Sequence, residues 1–104
     1  MAKLQPVERE GQIVGYYFRC PGCQHGHVAH VNPHKNTIGA GWTFNGNMEK
    51  PTFSPSIINR VKFEDVSKPD SICHLFVTDG RIQFLDDSTH SLAGQTVDIY
   101  DIEN

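Results

Sequence analysis

The sequence predicts an all-β fold, a small antiparallel sandwich or partly open barrel with a zinc-stapled turn, and three observations carry that expectation. Short apolar runs of strand length are punctuated by nine glycines and six prolines, the spacing of an all-β domain. No window shows the 3.6-residue apolar repeat of an amphipathic helix. Cys20-Pro21-Gly22-Cys23 reads as a tight turn that aims two sulfurs at one centre, the half-site of a zinc knuckle or ribbon.

Taken in order, Met1 to Gly11 is polar and is expected to be frayed at its start. Strands are expected over Ile13 to Arg19, His27 to Val31, Ile38 to Phe44, Ser56 to Lys62, Cys73 to Thr78, Arg81 to Leu85 and Thr96 to Ile102, all of strand length. Asp79-Gly80 joins two of them, because both residues tolerate the positive φ of a two-residue type I′ hairpin. Alternation then places Cys73, Leu75 and Val77 on one face and His74, Phe76 and Thr78 on the other. Cys73 and His74 therefore cannot serve the same face. Asn45-Gly46-Asn47 reads as a turn, and Pro51 and Pro55 hold Lys50 to Ser56 extended and poor in backbone donors. Phe63 to Asp70 reads as an exposed loop, and Asp87 to Gly94 as irregular.

A chain of 104 residues fits one domain. With 38% hydrophobic and 20% charged residues, the composition is not that of a disordered chain. The net charge is −3, with nine Lys and Arg scattered along the chain, which offers no electrostatic footprint for nucleic acid or an anionic membrane. MAKLQPVEREGQ lacks the apolar run of a signal peptide, and nothing approaches the roughly 18 apolar residues of a membrane span. A cytoplasmic protein is expected. Three cysteines in such a chain favour thiolate or metal chemistry over a disulfide framework.

A zinc site needs more than one Cys-X-X-Cys. His25 and His27 follow the pair closely, and Cys73, His74 and His90 are the remote candidates. The expected ligand set is Cys20, Cys23, His27 and Cys73: His27 opens the next strand, and Cys73 is the remaining thiol. The competing reading of Cys73 is a small buried apolar residue. His30 and His34, beside Asn32-Pro33 and Lys35-Asn36, read as exposed loop histidines.

The segments FRCPGC, GWTFNGN, PTFSPSI, CHLFVTDGRIQFL and DSTHSLAGQTVDI resemble, in order and spacing, a family of small proteins from tailed phages and prophages. That family is often carried under the label of ammonia monooxygenase, an activity these residues do not support. It has relatives beside bacterial ubiquitin-like conjugation genes that look like peptidases. The resemblance runs from about Tyr17 to Ile99. It implies a peptidase-type hydrolase whose partner is a protein or peptide, such as a ubiquitin-like modifier, inside a bacterial cytosol. In the family pattern the position of Ser88 holds serine or cysteine, which fits a nucleophile or a small turn residue better than a zinc ligand.

A hydrolase needs a nucleophile, a base within reach and a group that orients the base. Ser56, entering its strand after Pro55, is the candidate nucleophile and His74 the base; Asp87 or His90 orients the base or stabilises charge. Zinc is then structural. A second version makes the zinc catalytic, with His74 and His90 as ligands beside a cysteine and Glu49 or an aspartate as base. A third is a non-catalytic, zinc-stapled phage protein that binds a host factor, with Trp42, Phe44, Phe53 and Phe76 mostly in the core, the alternative for Trp42 being exposure in a groove. A hydrolase holds Ser56 or Ser88 within hydrogen-bond reach of His74 or His90, whereas a binding module scatters or buries them.

Overall fold

A computed structural model describes residues 3–22, 26–61, 64, 67 and 70–99. Its strands are β1 (Gln5–Arg9), β2 (Gln12–Arg19), β3 (Gly26–His30), β4 (Thr43–Phe44), β5 (Phe53–Val61), β6 (Ser71–Thr78), β7 (Arg81–Phe84) and β8 (Thr96–Asp98). They form a three-stranded sheet, β1-β2-β3, and a five-stranded sheet, β4-β5-β6-β7-β8. Every strand pairing is antiparallel. Among the described residues no barrel closes, and no helix is long and apolar enough to cross a membrane.

The expected hairpin forms in the expected register: Thr78 faces Arg81 and Val77 faces Ile82, around Asp79 and Gly80 at φ 50° and 77°. The alternation also holds, with Cys73, Leu75 and Val77 buried and His74, Phe76 and Thr78 turned outward. A second hairpin of the same kind was not expected. Glu10 and Gly11, at φ 54° and 80°, join β1 to β2 with Arg9 opposite Gln12. β1 carries Pro6 and is mostly exposed, as an edge strand permits.

Three strand expectations change. Over Ile38 to Phe44 only Thr43 and Phe44 form a strand. The Asn36 carboxamide oxygen accepts from the N–H groups of Ile38 and Ala40, and this side-chain turn replaces a ladder. The strand expected from Ser56 instead begins at Phe53 and includes Pro55. The strand from Thr96 ends at Asp98; Lys62 and the residues after Ile99 lie outside the described residues.

The two sheets share one core, in which Phe18, Ala29, Phe53, Leu75, Ile82 and Phe84 are buried. Phe18 from β2 stacks on Phe53 from β5 at 6.1 Å between ring centroids. Trp42 joins the sheets through the backbone: its N–H donates to the His30 carbonyl at 2.7 Å, and its own carbonyl accepts from Asn32 at 3.0 Å. Trp42 is buried, as its core reading expects, whereas Phe76, at 39% exposure, is not core.

Candidate active site

The site is organised by the end of β6. β7 stops pairing at Phe84, opposite Leu75, so the edge of β6 at Ile72 to His74 needs other partners. The chain after β7 supplies them. Leu85 N–H donates to the His74 carbonyl and Thr89 N–H to the Ile72 carbonyl, each at 2.9 Å. The Ser88 hydroxyl accepts from His74 N–H and donates to His74 C=O, both at 3.0 Å. Laid along the edge in this way, the segment delivers Asp87 to the His74 face and His90 to the Cys73 face. Ser88→Ala leaves the His74 amide without this partner in a buried setting, so a loss of about 1–3 kcal/mol is expected in denaturant unfolding, and Ser88→Thr should not restore it fully because the added methyl must be accommodated.

On the outer face, Ser56 Oγ lies 3.1 Å from His74 Nε2. His74 Nδ1 lies 3.1 and 3.0 Å from the two Asp87 carboxylate oxygens. A carboxylate only accepts, so Nδ1 carries the proton and donates; Nε2 of the neutral ring then presents its lone pair to the serine hydroxyl. The side chains of His74 and Asp87 are 22% and 53% exposed, so a substrate can reach them.

Ser56 sits where the β5–β6 ladder slips. Phe53 faces Val77 and Ile57 faces Leu75, with the register shifting between them, and such an irregularity re-aims side chains. Pro55 fits there because it has no N–H to give a ladder. The Trp42 indole N–H donates to the Ser56 carbonyl at 3.2 Å, which fixes the serine backbone from the residue just before β4.

On the inner face, Cys20 Sγ and His27 Nε2 each lie 3.6 Å from Cys73 Sγ. The ligand atoms of these three buried residues all lie within 4.8 Å of one another, and the group could hold a metal. The donor set suits zinc. Two sulfurs each about 2.3 Å from one tetrahedral zinc are about 3.8 Å apart, close to the Cys20–Cys73 separation. Cys23 and His25 lie outside the described residues. His90 Nε2 is also 3.6 Å from Cys73 Sγ, but its Nδ1 accepts from Leu92 N–H at 3.2 Å. The proton of the neutral ring therefore sits on Nε2, which makes His90 a donor to sulfur rather than a ready metal ligand. Gly22 is required here by close approach: any β-carbon would collide with the His90 ring and Phe84.

Of the residues expected to act together, the structure gathers Ser56, His74 and Asp87, and separately Cys20, His27 and Cys73. It does not bring His90 to His74. His74 does not join the sulfur group, as a catalytic zinc would need, and Ser88 bonds backbone instead of an imidazole. His30 is not a loop residue but ends β3. Ser88 follows the turn-residue alternative by bonding to backbone, whereas Trp42 as a support of the site was missed; the Trp-to-Ser56 bond joins elements 14 residues apart and has no local signature.

Comparisons with known proteins bear on the same residues. No curated protein and no solved structure matched the chain. A family model, described as "Bacterial ubiquitination-like system serine protease (BubE)", matches residues 2–85. That span includes Ser56, His74 and the whole of β5 and β6, the strands that hold them; Asp87 follows just beyond it. The chain therefore belongs to the BubE family, the serine proteases of bacterial ubiquitination-like systems.

Proposed function

We propose that Ser56, His74 and Asp87 are the catalytic triad of this protease, and that its substrate is a ubiquitin-like modifier cleaved at its C-terminal linkage. The observation that carries the triad is the unbroken path from Ser56 Oγ through the His74 ring to the Asp87 carboxylate, with each step at 3.0–3.1 Å. Ser56 Oγ attacks the scissile carbonyl carbon while His74 Nε2 takes the hydroxyl proton. Asp87 holds the ring in the required tautomer and stabilises the imidazolium. The C–N bond then breaks, and the amine leaves with the proton from Nε2. Water repeats the sequence on the acyl-serine ester, giving its proton to Nε2 and releasing the carboxylic acid and free Ser56.

In this reading Cys20, His27 and Cys73 would hold a structural zinc, with Cys23 as the expected fourth ligand. The ion would supply a cross-link between the turn after β2, the start of β3 and β6 at the residue preceding His74. The soft sulfur-rich donor set supports zinc over a hard cation. Thiols kept reduced at this spacing suit the cytosol of a bacterium, including one that carries the gene in a prophage.

Asp87→Asn keeps the shape of the side chain but can donate to Nδ1, which turns the histidine to the wrong tautomer. A fall of about 10³–10⁴-fold in kcat with an unchanged melting temperature is expected, read by hydrolysis of a chromogenic ester. The substrate is tested with a ubiquitin-like modifier fused through its C-terminus to a reporter protein. The wild type should release the reporter and Ser56→Ala should not. Release by Ser56→Ala at the wild-type rate would refute the assignment of Ser56, and an intact fusion with an active ester hydrolase would refute the modifier.

A further inference from the structure

Past Ser56, β5 leads into a cleft of about 310 Å³ walled by Val28, Ile38, Trp42, Ile57, Ile58 and Asn59. Three of these are large apolar side chains left in water: Val28 at 39%, Ile38 at 87% and Ile58 at 51% exposure. Single exposed apolar residues are ordinary, but several around one concavity mark a binding surface. None of the described residues lining the cleft is Asp, Glu, Lys or Arg, and its one titratable residue, His27, is buried with its ring nitrogen against the two sulfurs. Its volume lies at the small end of ligand sites, which run from about 300 to 1,000 Å³, room for one or two side chains and no more.

The cleft neighbours the catalytic residues through one of its walls, although Ser56, His74 and Asp87 do not line it. Ile58 is directly opposite His74 in the β5–β6 ladder. It lies two residues along the strand from Ser56, about 6.6 Å at the rise of an extended chain. Trp42, the tryptophan in the wall, is the residue that holds the Ser56 carbonyl. A peptide extended from a carbonyl carbon at Ser56 Oγ toward Ile58 reaches the cleft with its second or third residue.

We propose that this cleft is a substrate subsite that takes an apolar side chain, of the size of Leu, Ile or Met, from the second or third residue on the acyl side of the scissile bond. The inference rests on Ser56 being the nucleophile. The acyl side is chosen because a protease that frees one modifier from differing targets meets a constant sequence only on that side.

The chain has one tryptophan, and it lines the cleft, so its fluorescence reports occupancy. The Ser56→Ala protein, which cannot turn the ligand over, is titrated with acetyl-Leu-Leu-Ala amide and with acetyl-Asp-Asp-Ala amide. The leucine peptide should shift Trp42 emission and bind at least about tenfold more tightly. Val28→Asp and Ile38→Asp, both at surface positions, should each remove most of that preference while circular dichroism shows the fold retained. Equal affinities, an unmoved emission, or a preference that persists in both variants would overturn the subsite. Failure of the catalytic reading looks different: reporter release would survive Ser56→Ala while the peptide titrations stayed as described.

Discussion

Ser56→Ala is expected to lower kcat/KM by about 10⁴ to 10⁶-fold, and His74→Ala by a similar factor, with the double variant little worse than either. The reason is that the two groups act as one unit. Ser56 Oγ at 3.1 Å from His74 Nε2 is a nucleophile only when its proton has somewhere to go, and the imidazole is a useful base only when an alcohol is in front of it. Removing either ends the same proton transfer, so the second removal finds little left to lose. Neither substitution disturbs a core contact: Ser56 and His74 are both partly exposed, and the His74 backbone stays clamped by Ser88 and Leu85. Melting temperatures should therefore stay near wild type, and substrate affinity should change far less than turnover. An additive loss, the product of the two single factors, would mean that the residues serve separate steps.

The second large effect concerns the sulfur site. Purified protein is expected to contain about one zinc per chain, and Cys20→Ser or Cys73→Ser to contain almost none. Free zinc at about a thousand times its dissociation constant stabilises the folded state by about 4 kcal/mol. For a domain of this size that corresponds to a melting shift of about 15–30 °C on chelation. The magnitude is large because the site joins Cys20 and His27 to Cys73, 53 and 46 residues away along the chain, next to the core residue Phe18. Turnover should fall along with stability, because Cys73 fixes the strand that carries His74. Ester hydrolysis and thermal melting before and after chelation and zinc return read both effects. A zinc-free wild type with an unchanged melting temperature would remove the site.

Period-two alternation was enough to separate Cys73 from His74, and it placed the candidate metal ligand and the proposed catalytic histidine on opposite faces before any coordinates. Asp79-Gly80 fixed the hairpin because positive φ at two successive positions has few solutions in sequence. The division of labour between Asp87 and His90 was not legible. It depends on the path of the chain after β7, which follows backbone hydrogen bonds to Ile72 and His74 rather than any pattern in its own residues. β1 was missed because an edge strand with neither face well buried lacks apolar alternation. The strand expected at Ile38 was lost to Asn36, whose side chain offered the backbone a better local partner than a neighbouring strand. Ser88 was legible as either nucleophile or turn residue, and only its two bonds to His74 separate them.

The most direct test of the central claim is covalent. The wild type is treated with a fluorophosphonate, and the modified residue is located by peptide mass mapping. A serine is nucleophilic enough to react only where a base takes its proton, so one adduct is expected, on Ser56, and none in His74→Ala under the same conditions. An adduct on Ser88, or labelling that persists in Ser56→Ala, would contradict the account.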